Sequence, residues 1–279
     1  MGPECADLQA WRWELDHPLN LGSATGLGTN STTFTGALAP APMVYEVDNA
    51  ASTVAGLRAK GTQVICYISV GTYESWRPDA ASFPAGLLGS GNGWPGEKWL
   101  NVSLEDTYYA QLQAIMTARL QMCSSKGFDA VEFDNMDGSE NSTGFAVSST
   151  QNNTYLEWLA ATAHSLELAA FQKNYVDQSA VLAPFLDGAI DEECFQYIEC
   201  SSLAPYTAAG KPILEAEYST SPASYCGPAN AADINAVLFN SGPNGTVRVT
   251  CRSHHPRAER TTPTFSPRGR PPGAGRCVR

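Results

Sequence analysis

A chain of 279 residues and 29.8 kDa, 43% hydrophobic and 10% aromatic, can bury a full core, and its length suits one α/β barrel. It carries 28 acidic and 17 basic side chains, and no apolar run approaches the ~18 residues of a membrane-spanning helix, so neither wholesale disorder nor membrane insertion is expected. The charge is unevenly placed: residues 1–247 hold nine basic and 27 acidic groups, net −18, whereas eight basic residues and one acid, Glu259, follow from Arg248 onward. A body this acidic repels phosphates, so no nucleic-acid or anionic-lipid partner is expected of it, and a neutral or cationic polymer is.

The start, Met1-Gly2-Pro3-Glu4-Cys5, has neither a basic nor an apolar leader region, which suits a soluble domain or one shorn of its leader. Eight β-rich runs then follow in chain order: Trp11 to Leu15, Met43 to Asp48, Gln63 to Ser69, Asp129 to Asn135, Leu168 to Asn174, Gly188 to Cys194, Pro212 to Ser219 and Ala236 to Asn240. Between them lie stretches of helical spacing, notably Thr107 to Ser125 and Thr154 to Glu167. Eight alternations predict a parallel sheet closed as a (β/α)8 TIM barrel in one domain, residues 1–251. No GxGxxG follows the first run, which counts against a dinucleotide-binding sheet and leaves no cofactor expected. The long Gly/Pro/aromatic insertion from Gly71 to Trp99 would cover the carboxyl-end mouth. Residues 252–279 are Pro/Gly/Arg-rich and read as a disordered or non-native tail; a nucleic-acid arm is the alternative.

The cysteines (Cys5, Cys66, Cys123, Cys194, Cys200, Cys226, Cys251, Cys277) are too scattered for a zinc ribbon, so disulfides and no metal are expected. Five glycosylation sequons (Asn30, Asn101, Asn141, Asn152, Asn244) join them in pointing to a secretory, oxidising compartment; a cytosolic chain would keep buried, inert thiols.

Chemistry concentrates at the strand ends. In Gly127-Phe-Asp-Ala-Val-Glu-Phe-Asp-Asn-Met-Asp-Gly138, alternation places Ala130, Glu132 and Asp134 on one face and Val131, Phe133 and Asn135 on the other. A second acidic end, Asp191-Glu192-Glu193, lies two strands on. Two carboxyls across a mouth are what acetal hydrolysis needs, about 5 to 5.5 Å apart for retention and 6.5 to 9.5 Å for inversion. Lys173, with Asn174 at the end of the intervening strand, would keep a neighbouring aspartate ionised while a carboxyl in a drier niche stays protonated. Asp48, Glu215 and Glu217 extend the acidic rim or bind backbone donors. Tyr67, Tyr73, Trp76, Trp94, Trp99 and Tyr218 follow strand ends, where sugars stack and loops anchor. Glu74, Arg77, Asn135 and Asp137 complete the expected substrate contacts. No G-x-S-x-G is present, and His164 sits inside a helical pattern, which disfavours acyl transfer.

In the ordered blocks WRWEL, VICYISVGTYESWRPD, GWPGEKWLNV, KGFDAVEFDNMDG, QKN, IDEECFQY and GKPILEAEY the chain resembles glycoside hydrolase family 114, the endo-α-1,4-polygalactosaminidases. The resemblance implies a barrel, an extracellular location and cleavage of galactosamine-containing polysaccharide by two carboxylates. Asp134 matches the family's catalytic aspartate, as nucleophile, and Glu192 its acid/base, with Glu193 a rival. It also implies disulfides Cys226–Cys251 and Cys194–Cys200. A monomer acting on a neutral or cationic polymer is expected; a non-catalytic carbohydrate-binding barrel and an exo-acting α-galactosidase-like enzyme are the alternatives.

Overall fold

A computed structural model describes residues 11–15, 19–29, 31–37, 39, 41–42, 44–47, 51–239 and 248–252. The eight expected strands are all present: β1 Trp11–Glu14, β2 Val44–Val47, β3 Gln63–Ser69, β4 Ala130–Asp134, β5 Ala169–Lys173, β6 Gly188–Glu192, β7 Ile213–Glu217 and β8 Asn235–Phe239. They pair in parallel in that order, curling into the expected barrel. Asp48 and residues 253–279 of the expected tail lie outside the described residues.

Closure differs from a continuous ring. The edge of β8 is taken by an antiparallel strand, β9 (Arg248–Thr250), which also pairs with Thr32–Thr33, so no ladder joins β8 to β1 among the described residues. Side chains make that joint instead. Trp11 Nε1 donates to the Asn235 carbonyl (3.1 Å), Arg248 Nε donates to the Trp11 carbonyl (2.7 Å), and the Trp11 ring meets Phe239 edge-on at 5.3 Å.

Alternation divides the core in two. Trp11, Trp13, Val44, Ile65, Ala130, Phe171, Ile190, Leu214, Val237 and Phe239 fill the barrel interior. The opposite faces of the same strands pack on helices. Of these, α1 spans Ala51–Arg58, α2 Tyr109–Ser125, α3 Ser149–Ser165 and α4 Pro222–Ala231. Helix α2 buries Leu112, Ile115, Met116, Leu120 and Cys123, a stripe at three- and four-residue spacing. Helix α3 begins five residues before the sequence expectation, where Ser148 and Gln151 form a capping box.

Among the described residues, three disulfides fix the periphery. Cys194–Cys200 and Cys226–Cys251 are the two implied by the resemblance, and Cys66–Cys123 ties the outer face of β3 to α2. The Gly71–Trp99 insertion is ordered: Thr72–Glu74 pairs antiparallel with Glu97–Trp99.

Candidate active site

Strands β4, β5 and β6 each end in a charged residue and then turn sharply. The next residue is left-handed every time: Asn135 (φ 55°), Asn174 (φ 47°) and Glu193 (φ 61°). Asparagine tolerates this region; glutamate does so under strain. Gly71, just beyond β3, makes room for the first turn, since a Cβ there would lie 1.7 Å from the Asn135 carbonyl oxygen.

Lys173 is the hub of what these turns create. Its Nζ lies 2.6 Å from Glu192 Oε2, 3.3 Å from Asp134 Oδ1 and 3.8 Å from Glu132 Oε1, and 5.2 Å above the Trp13 ring. The Asp134 and Glu192 oxygens it touches are therefore no farther apart than the 3.3 and 2.6 Å contacts laid end to end, about 5.9 Å. Each carboxylate has its own tyrosine and asparagine donor. Tyr67 Oη (2.8 Å) and Asn135 Nδ2 (3.1 Å) donate to Asp134 Oδ2. Tyr218 Oη donates to Glu192 Oε1, and Asn174 Nδ2 to its Oε2 (3.4 Å).

These contacts set the charges. Burial pulls the Lys173 ammonium down, but Asp134, Glu192 and Glu132 outweigh it and hold the group well above its ordinary range. Burial pushes Glu192 up, yet the Lys173 charge and hydrogen bonds from Lys173, Tyr218 and Asn174 prevail, leaving it below the usual carboxylate range. The expected division of labour is thus corrected: the lysine lies nearer Glu192 than Asp134 and keeps that glutamate ionised in the free site.

A cavity of about 200 Å³ opens beside this cluster, lined by Asn92, Trp94, Trp99, Asp134, Asn135, Asp137, Asn141, Lys173 and Asn174. Trp94 is 71% exposed at its rim. Asp137 is pushed up by burial and accepts from Asn141 Nδ2 (2.8 Å).

The structure thus brings together Tyr67, Trp94, Asp134, Asn135, Asp137, Lys173, Asn174, Glu192 and Tyr218. Other expected contacts lie elsewhere. Tyr73 packs edge-on against Phe83 at 5.6 Å, because the hairpin turns it into the insertion. Glu74 is buried in a two-pronged ion pair with Arg77 (2.8 and 2.9 Å). Both border a separate cavity of about 210 Å³, which Tyr67, Asp79 and Arg119 also line. Glu193 follows β6 and shares none of Glu192's hydrogen bonds given above. Glu217 is on the outer face of β7, where it accepts from the Phe195 and Gln196 amides (2.9 and 3.3 Å), so it supports the loop after β6 and does not face the mouth.

That outer face carries two further acids. Burial pushes Asp191 up to about 7 and Glu215 well above the carboxylate range. Asp191 and Glu215 lie close to Cys194 Sγ, but this sulfur is spent in the Cys194–Cys200 disulfide and is no metal ligand. Sequence reasoning missed Trp13 beneath the lysine, and Asn92 and Asn141 in the cavity wall. A polar residue two positions before Trp94 and the Asn141 sequon were the available signals.

The model of glycoside-hydrolase family GH114 matches residues 9–255. The chain belongs to this family. Among solved structures, Aspergillus fumigatus Ega3 in complex with galactosamine is similar at 30% identity and TM-score 0.73, covering 88% of this chain and 94% of that one. The glycoside hydrolase domain of PelA from Pseudomonas aeruginosa shares the fold at 12% identity and TM-score 0.59, covering 84% and 96%. No curated protein matches by sequence. GH114 membership makes the chain a glycoside hydrolase and gives the Asp134–Lys173–Glu192 cluster its chemical context.

Proposed function

We propose that the chain is a secreted, retaining, endo-acting hydrolase of α-1,4-galactosaminidic bonds. Asp134 is the nucleophile and Glu192 the acid/base. The bound of about 5.9 Å on the two oxygens that meet at Lys173 carries the reading, since carboxyls brought this close suit the ~5–5.5 Å separation of retaining enzymes. Asp134 attacks the anomeric carbon while Glu192, once protonated, donates to the leaving oxygen; it then takes a proton from the water that frees the sugar. Tyr67 and Asn135 hold Asp134 in line.

The substrate class rests on kinship with Ega3, a structure holding galactosamine, and on charge: an amino-sugar polymer carrying free ammonium groups suits a body of net −18 and a cavity lined by Asp134 and Asp137. The three disulfides among the described residues suit an extracellular setting.

Asp134→Asn and Glu192→Gln should each lower oligosaccharide release from deacetylated galactosaminogalactan by at least ~10³-fold while the thermal midpoint holds. An active double variant ends the proposal. A ladder of oligomers marks endo cleavage, and a single monosaccharide marks exo. Polymer affinity should fall with salt, by screening over ~8–10 Å at physiological strength.

A further inference from the structure

The reaction leaves unused a fully buried acid that borders the reacting pair's lysine. Glu132 points into the barrel two residues before Asp134, at 0% exposure, and neither carboxyl oxygen has a hydrogen-bond partner among the described residues. Its ion-pair partner is Lys173 Nζ at 3.8 Å, the same ammonium that touches Glu192 at 2.6 Å. The groups facing it are few. Tyr67 comes from β3, Lys173 from β5, Glu192 from β6, Tyr218 from the extension of β7, and its own strand supplies Asp134. Strand β2 adds inward Glu46, itself without a hydrogen-bond partner among the described residues, and β1 supplies the Trp13 ring.

The free site poses a problem that this placement answers. Glu192 must carry a proton to act as general acid, yet Lys173 keeps it ionised. We propose that Glu132 stores that proton in the barrel interior and delivers it to Glu192 through Lys173. This inference rests on the assignment of Asp134 and Glu192 as the reacting pair.

The transfer balances. Lys173 Nζ gives a proton to Glu192 Oε2, and the resulting amine swings from 3.8 Å to hydrogen-bond distance of Glu132 Oε1 and takes its proton, leaving Glu132 ionised, Lys173 cationic and Glu192 protonated. Glu192 then gives its proton to the leaving oxygen as Asp134 forms the ester. In the second half Glu192 recovers a proton from water, and the reverse relay restores Glu132. The cluster holds the same net charge at rest and as the glycosyl-enzyme, because the Asp134 charge is consumed as the Glu132 charge appears. Burial supports the resting state, since it pushes the Glu132 carboxyl well above the ordinary range despite the nearby lysine. Glu132 acts through Lys173 and touches no substrate, so it is a positioning residue for the proton.

Glu132→Gln is the decisive variant: glutamine replaces a neutral acid with a neutral isostere that has no proton to give. The profile of kcat/KM against pH on galactosamine oligomers should lose its alkaline half, with activity down on the order of 10²-fold at neutral pH and recovering as Glu192 is protonated from solvent. An aryl α-galactosaminide with an acidic phenol needs no donated proton to form the glycosyl-enzyme, so wild type and variant should then agree. Superimposable profiles on oligomers, or equal losses on both substrates, overturn the relay. An infrared difference spectrum of wild type against Glu132→Gln tests the store without turnover: the protonated carboxyls of Asp191 and Glu215 cancel between the two proteins, one further protonated-carboxyl band at neutral pH should be lost in the variant, and a spectrum with no such difference band overturns the proposal. An inactive wild type that still shows this band would instead sink the hydrolase reading of the site.

Discussion

Strand β6 carries two neighbouring acids with opposite fates. Asp191 faces the helices and is pushed up to about 7; Glu192 faces the barrel and is held below the carboxylate range. Both pack against other acids, the buried Asp191 near Glu215 and the half-buried Glu192 near Glu132 and Asp134. What differs is the cation. Lys173 lies among the inner carboxylates at 2.6 to 3.8 Å, whereas burial on the outer side meets mainly backbone amides. An acidic strand end stays ionised where a neighbouring strand delivers a buried counter-charge and holds its proton where none does.

Removing that cation is the strongest way to break the contrast. Lys173→Met should leave Asp134 and Glu192 facing each other unshielded, with Glu192 moving up and the two competing for one proton. Breaking a buried pair costs ~3–5 kcal/mol, so both a lower thermal midpoint and a loss of ~10²–10³-fold or more in kcat/KM are expected. The pH profile should also narrow as two like charges resist joint ionisation. A variant with the wild-type profile would show that Lys173 does not set the inner charges.

The strands themselves were legible because short β-rich runs and helical spacing survive in a single sequence, as in Gln63–Ser69, whose bounds agree with the structure. Facing was harder to read. Leu214, Ala216 and Tyr218 lie on the inner side of β7 and its extension, so Glu215 and Glu217, charged yet buried, fall on the outer side where apolar residues are the usual occupants. Alternation gives two parities, and only neighbouring strands decide which one is inside. Cys66–Cys123 depends on how α2 docks against β3, a long-range fact with no local trace. The start of α3 did leave a trace: Ser148 and Gln151 are spaced as a capping box, within a polar stretch that hides the helical period. The side-chain joint between β1 and β8 could not be read either, because β9 is only three residues long.

A smaller effect sharpens the outer half of the comparison. A carboxyl raised from 3.8 to about 7 binds more protons folded than unfolded between those values, so its contribution makes stability fall as pH rises through that window. Asp191→Asn removes the titration. The variant should match wild type in acid and exceed it above neutrality by up to ~4 kcal/mol, reduced to the extent that Glu215 takes up the shared proton. Urea midpoints of the two proteins across pH test this. Parallel curves would mean that Asp191 is not held neutral by the fold.

The smallest change acts on the inner side through Tyr218, whose hydroxyl donates to Glu192. That hydrogen bond helps keep the glutamate ionised, so Tyr218→Phe should move Glu192 upward and ease its protonation. A hydrogen bond to a charged group is worth ~1.5–3 kcal/mol, which sets the ceiling on the shift. Because Glu192 in the proposed role of general acid must be protonated to act, losing the donor should extend the alkaline limb of kcat/KM to higher pH, with KM little changed. It should also cost some activity by leaving the Glu192 carboxyl less firmly aimed. The direction separates Tyr218 from Lys173: removing the lysine also raises Glu192 but takes away the charge that Asp134 shares, so activity collapses across the whole range. If Tyr218→Phe instead moved the alkaline limb to lower pH, the tyrosine would be supplying the proton itself, and the assignment of Glu192 as the acid would have to be revised.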